Sequence, residues 1–181
     1  MSNSTMPSYP KYQIVKTFDH PIVSSDLRYI RGKVFQGDHR VYLQTPTAMI
    51  RTISDQMIFL TCEDQTFLEY LRNLDRIALT SLTENLLVSL RQFNPSIVGS
   101  PFNTREFGLV LDLAGAEIYN QERNDVQIES LRDGYTARAI ILLDRLEDHR
   151  IVWTLKQLKV HIPAPILDQC VLSDNEVDEE V

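Results

Sequence analysis

The spacing of apolar positions changes twice along the chain. "YQIVKTF" (12–18), "LRYIRGKVF" (27–35), "HRVYLQT" (39–45) and "QMIFLTC" (56–62) alternate or run apolar over short spans, which predicts strands. From residue 67 the spacing becomes three and four. Phe67, Leu71, Leu74, Ala78, Leu82, Leu86 and Leu90 recur in this way, predicting a helical segment over residues 66–93. Thr66 with Glu69 and Ser81 with Glu84 have capping-box spacing, so two consecutive helices are expected, or one with a break near Thr80 and Ser81. Asn94-Pro95 ends the segment. "PSIVGSPFN" (95–103) reads as loop, "FGLVLDLAGAEIY" (107–119) as strand and "NQERND" (120–125) as polar loop. Residues 134–162 read as two strands around a turn at Glu147-Asp148-His149.

Strands, then a helical block, then strands is the order of an α+β fold with an antiparallel sheet or small barrel, not of alternating βαβ units. A Ser/Pro/Asn-rich start and an acidic end bracket this pattern. The expected organisation is a flexible N-terminus (1–11), one domain (12–167) and an acidic flexible tail (168–181).

Within that frame, side-chain alternation assigns faces. Gln36-Gly37-Asp38 reads as the link of a hairpin between 27–35 and 39–45. Its first arm would set Tyr29, Arg31, Lys33 and Phe35 on one face, and its second would set Arg40, Tyr42 and Gln44 together. Aromatic rings among cations suit a single nucleic-acid strand, whose bases stack while its phosphates meet Lys and Arg. The same residues also fit a solvated face with ordinary cross-strand pairs. Trp153, the only tryptophan, reads inward if a bulge near Lys156-Gln157 restores one apolar face, with Lys156 and Lys159 left as candidate phosphate contacts.

Composition narrows the classes. The 181 residues are 43% hydrophobic, enough for one sizeable core. No apolar run reaches the ~18–20 residues of a membrane span, so no membrane partner is expected. "MSNSTMPSYP" lacks the basic and apolar regions of a secretory signal. Cys62 and Cys170 fit neither a disulfide framework nor a zinc pattern, which points to a reducing, intracellular compartment. The net charge of −7 includes Asp174, Glu176, Asp178, Glu179 and Glu180, so residues 1–173 carry only −2. Those five acids read as a solubility appendage, or as a tethered polyanion that competes with nucleic acid for a basic face. Phosphate-loop, dinucleotide and nucleophile-elbow patterns are missing, and His20, His39, His149 and His161 have no metal spacing. Neither catalysis, nor a metal, nor a cofactor is expected.

"VYLQTPTAM" (41–49), "FLEYLRNLDRIAL" (67–79), "GYTARAIILLDRL" (134–146) and "IVWTLKQLKV" (151–160) together resemble a group of small proteins of large double-stranded DNA viruses of eukaryotes. The Gln-Thr-Pro at 44–46 and the late Trp, Gln and Val carry the likeness, which covers about residues 27–162. The sequence departs from the group where "DHRIVW" replaces a Tyr-Gly before the Trp. Its tail also ends in Val181, not in the aromatic residue of some unrelated single-strand binders. The group is similar to oligonucleotide/oligosaccharide-binding (OB) folds, and its characterised relatives bind single-stranded DNA. The resemblance thus implies an OB-like antiparallel barrel with residues 66–93 as a helical insertion. It further implies a non-catalytic protein of viral DNA replication, recombination or repair, at the host-cell site of that replication. Single-stranded DNA is the expected partner, with RNA as the alternative; replication proteins and a second copy of the chain are further candidates. The other reading is a structural or virion-associated protein that makes protein contacts.

Overall fold

The computed structural model describes residues 12–15, 17–86, 97–99, 105–147 and 150–164. In chain order its elements are β1 (Leu27–Ile30), β2 (Lys33–Gln36), β3 (Val41–Gln44), β4 (Ala48–Ile53), β5 (Met57–Cys62) and α1 (Gln65–Leu86). There follow β6 (Ile97–Gly99), β7 (Phe107–Asp112), β8 (Glu117–Tyr119), β9 (Thr136–Glu147) and β10 (Arg150–His161).

Five strands close on themselves. β4 pairs with β5, β5 with β7, β7 with β10, β10 with β9, and β9 returns to β4. Asp148 and His149 of the expected turn lie outside the described residues, and Glu147 lies opposite Arg150 in the long β9–β10 pair. Its inward face carries Ala137, Ala139, Ile141 and Leu143 against Ile151, Trp153, Leu155, Leu158 and Val160, all buried. Trp153 is 1% exposed and belongs to the core. The alternation survives the whole of β10 because the register shifts between Leu155 and Gln157, where Lys156 bulges out. The barrel is mixed, not purely antiparallel: β10 runs parallel to both β7 and β8.

The Gln-Thr-Pro stretch bends a strand. β3 and β4 follow one another along the same edge of β9, from Val41 opposite Leu143 to Met49 opposite Thr136. Between them the Thr45 N–H donates to the Ala139 carbonyl at 2.9 Å, and the Thr45 hydroxyl accepts from the Ala139 N–H at 3.0 Å. Pro46 has no N–H to lose, so the chain turns there without stranding a donor. Sequence reading missed β4, whose "AMIRTI" alternates poorly because Arg51 falls in a register shift between Ile50 and Thr52.

The helical block is one helix as far as Leu86, not two. Asp64 caps it, accepting from the Phe67 N–H at 3.0 Å, which puts Thr66 and Glu69 inside the helix and not in a capping box. Phe67, Leu71, Leu74 and Ala78 are buried as their spacing requires. Ser81 lies within the helix and is buried; its hydroxyl donates to the Leu27 carbonyl at 3.3 Å. Two further loop or strand assignments change: 97–99 is a strand on β7, and 107–119 divides into β7 and β8 around the Asp112–Ala114 side-chain turn. Among the described residues of 12–18, Gln13 alone forms a β-bridge, to Leu43. The expected domain edge at 167, the acidic tail, Cys170 and residues 87–93 lie outside the described residues.

Candidate functional site

The expected turn at Gln36-Gly37-Asp38 closes, with Gln36 and His39 exchanging backbone hydrogen bonds at 2.8 and 3.0 Å, but its first arm is not one strand. Arg31 (φ 52) and Gly32 (φ 78) both take left-handed backbone, as a two-residue hairpin turn demands, so "LRYIRGKVF" folds back on itself as β1 and β2. Two turn residues between the arms reverse the parity of everything beyond them. Arg28 now faces Phe35 and Ile30 faces Lys33, while Tyr29 faces Val34 on the opposite side. Tyr29 is turned toward α1, where its hydroxyl donates to the Ala78 carbonyl at 2.5 Å, and burial pushes its pKa far up. Tyr29 therefore does not share a face with Lys33 and Phe35, and Arg31 stands in the turn. After Lys33, which pairs with Arg145, the chain leaves β9 and returns only at Val41. Sequence spacing carries no mark of such an excursion.

Phe35 and Arg40 do meet. The Arg40 guanidinium lies 5.0 Å from the Phe35 ring centroid and is bound to the Asp144 carboxylate and, at 3.0 Å, to its carbonyl. This cation is already used. Asp144 also accepts from Thr154 at 2.9 Å and from Arg145 at 2.8 Å. Burial alone would raise the Asp144 carboxyl, but hydrogen bonds from Thr154, Arg40 and Arg145 outweigh it and hold the pKa below its ordinary value. Arg145 reaches Asp112 at 2.9 Å and Glu147 at 2.7 Å as well, and these carboxylates hold its proton more tightly still. A cleft of 620 Å³ opens beside this network, with Met57, Val110 and Arg150 among its walls.

The other end of the sheet differs in kind. There the outward positions of β3, β9, β10 and β8 lie side by side. Gln44 is opposite Ile140, Ile140 opposite Gln157, and Gln157 beside Glu117. One step along, Arg138 is opposite Lys159, and Lys159 beside Tyr119. These residues alternate with buried Ala137, Ala139, Leu158 and Val160, which is why the strand pattern sends them to solvent. A depression of 500 Å³ runs over Gln44, Tyr119, Arg138, Ile140, Gln157 and Lys159, with Arg123 at its rim. A second one, 360 Å³, adjoins it through the shared Ile140 and Gln157 and adds Ile14, Tyr42 and Lys156. The bulge makes this possible by keeping Gln157 and Lys159 outward beside Lys156 on a strand whose uninterrupted alternation from Trp153 and Leu155 would turn them in.

Arg123 is placed by its loop. It is one of two non-glycine residues with positive φ (67) among the described residues, and Asn120 enforces the turn by accepting from the Glu122 and Asn124 N–H groups at 3.0 and 2.9 Å. Arg123, Arg138, Lys156 and Lys159 make no ion pair among the described residues. Glu117 is engaged with the Gln157 amide at 2.8 Å and the Tyr119 hydroxyl at 3.1 Å. That bond to Glu117 raises the Tyr119 pKa and keeps its proton on. Chemically, the surface offers free cations, two tyrosine rings and an apolar floor.

Of the eight candidate residues, the fold thus brings Tyr42, Lys156 and Lys159 to one groove. Phe35 and Arg40 form a separate stacked pair, Arg31 and Lys33 stand at the hairpin tip, and Tyr29 packs under the helix. Sequence reading missed Arg138, Tyr119 and Arg123. The first was legible, since "TARAIILL" puts Arg138 between two inward alanines. Arg123 was not, because its position depends on a turn closed by a side chain. Among the described residues no group of His, Cys, Asp and Glu could hold a metal ion, and no helix is long and apolar enough to cross a membrane.

No protein-family model matches the sequence, and no curated protein matches it. Among solved structures the chain is similar to a C-terminally truncated single-stranded DNA-binding protein from bacteriophage Enc34. The two are 11% identical, with a TM-score of 0.53 over 79% of this chain and 99% of that one. At that identity the likeness is one of fold, and the fold is an α+β, OB-like closed barrel with a helical insertion.

Proposed function

We propose that this protein binds single-stranded DNA in the groove across β3, β9, β10 and β8, without catalysis and with little sequence preference. One observation carries the reading: four cations with no carboxylate partner among the described residues surround Tyr42, Tyr119 and Ile140 on one face. Phosphates would be neutralised by Arg123, Arg138, Lys156 and Lys159 while bases stack on the rings. Arg31 and Lys33 would be peripheral contacts, and Phe35 and Arg40 supports of the Asp144 network. The fold shared with a phage single-strand binder supports the same reading, and so does the resemblance to proteins of large DNA viruses. A role in viral replication, recombination or repair, with replication proteins as partners, belongs to this proposal.

OB barrels commonly use the outer face of their second and third barrel strands, here β5 and β7. On this chain that face has an exposed Met57 and a half-buried Phe59, which favour it as a second site for bases. Its cations argue the other way. Arg51 is bound to Glu106 at 3.0 Å and Arg145 to three carboxylates, so little charge is left for phosphates. Anisotropy with a labelled oligo-dT and a matched duplex tests the proposal. Salt-sensitive binding that prefers the single strand is expected, and equal or absent binding would refute it. Loss of affinity in Phe59→Ala but not in Lys159→Ala would move the site to β5 and β7.

A further inference from the structure

We propose that the 500 Å³ depression is a subsite for one unstacked nucleotide, its base lying on the Tyr119 ring and its phosphate between Arg138 and Lys159. This deepens the single-strand reading and rests on it. The depression is open to solvent, and its 500 Å³ is room enough to seat one nucleotide against the sheet.

The lateral order of the side chains makes the assignment. Arg138, Lys159 and Tyr119 stand in one row on three adjacent strands. At ~4.8 Å per strand, a phosphate shared by Arg138 and Lys159 sits about 7 Å from the Tyr119 position, the spacing of a phosphate and the base of its own nucleotide. Ile140, half-buried in the neighbouring row, provides an apolar floor. The ring is held, not free: its hydroxyl donates to Glu117 at 3.1 Å, and that carboxylate also fixes the Gln157 amide at 2.8 Å. A pre-set ring loses little rotamer freedom when a base stacks on it. The same bond leaves the Gln157 carbonyl oxygen, and both polar ends of Gln44, without partners among the described residues, ready for the base edge. Arg123, in the turn closed by Asn120, adds a further cation to the lining.

Nucleotide chemistry is common to a strand and to a free mononucleotide, so the test has an arm for each. Wild type, Tyr119→Leu and Tyr119→Phe would be titrated with oligo-dT of minimal length and with the same oligomers carrying one abasic position, moved along the strand. In wild type, one position should lose about 5- to 150-fold in affinity when its base is missing, and Tyr119→Leu should lose the same factor on intact DNA. On the abasic oligomer Tyr119→Leu should lose nothing further, and Tyr119→Phe, which keeps the ring, should keep the position-dependent loss. Abasic positions that all cost wild type nothing, or additive losses in Tyr119→Leu, would overturn the subsite while leaving strand binding intact. If no variant and no wild type retains DNA, both readings fall. Tyr119-dependent binding of dTMP as tight as that of the oligomer would make a free nucleotide the ligand and overturn the strand as its source.

Discussion

Removing Arg138 and Lys159 together gives the sharpest test of where phosphates sit. Both are exposed, opposite each other on β9 and β10, and neither is in an ion pair among the described residues. Alanine at both positions should leave the melting temperature unchanged, because no buried group is stranded. On a single strand each neutralised phosphate contributes ~0.7 to the slope of log affinity against log salt, and Arg138 and Lys159 share one, so the double variant should lose ~0.7 of slope. Taking equal residual affinities at 1 M salt, that slope predicts about eightfold weaker binding at 50 mM and about threefold at 200 mM. Arg31→Ala with Lys33→Ala is the matched control. Lys33 pairs with Arg145, seven residues up β9 from Arg138, or about 23 Å at 3.3 Å per residue. It faces Arg145, which holds the Asp112, Asp144 and Glu147 carboxylates, and the control should lose less than half as much slope. Anisotropy titrations over four salt concentrations would measure both. A groove variant with wild-type slope, or one that loses the same factor at every salt concentration, would refute phosphate contact at these residues.

Tyr29→Phe removes the hydroxyl that donates to the Ala78 carbonyl, so it should cost ~1 kcal/mol of stability in denaturant titrations and leave DNA affinity untouched; weaker binding with unchanged stability would return Tyr29 to the interface. The folded Asp144 carboxyl titrates below its ordinary 3.8, so its contribution is complete above that pH and lost as pH falls through the lower folded value. Asp144→Asn should therefore be about 2 kcal/mol less stable at neutral pH and show a shallower loss below pH 3.8, read from acid unfolding curves; parallel curves would refute the sign. Deleting residues 173–181 removes five carboxylates from a chain that leaves β10 two residues after Lys159. Binding to single-stranded DNA should tighten at low salt, with the gain shrinking as salt rises; unchanged affinity would reduce the tail to a solubility or partner-binding role, and weaker affinity would overturn competition altogether.

The parts of this fold that were legible in the sequence share one physical property: each is fixed by local pattern plus burial. The β9–β10 pair, the inward Trp153 and the bulge beside it follow from a period of two that must keep one face dry. The helix follows from Phe67, Leu71, Leu74 and Ala78, although its start does not, because the cap is Asp64 and a Thr66–Glu69 spacing competes with it. What could not be read depends on turn parity. One two-residue turn at Arg31-Gly32 sends Tyr29 under α1 and leaves Lys33 and Phe35 on the other face, so a single unrecognised reversal rewrites half of the candidate list. The groove was half visible for the same reason. Lys156 and Lys159 lie on a strand whose register was read correctly, and Arg138 lies on its partner, one alternation away from being named. Tyr119 and Arg123 enter only through the parallel pairing of a three-residue strand and a loop tied by Asn120. Basic and aromatic residues close in sequence thus do not all lie on one surface. The residues that share a surface come from four strands and one loop, and what sets them apart is that their cations make no ion pair among the described residues.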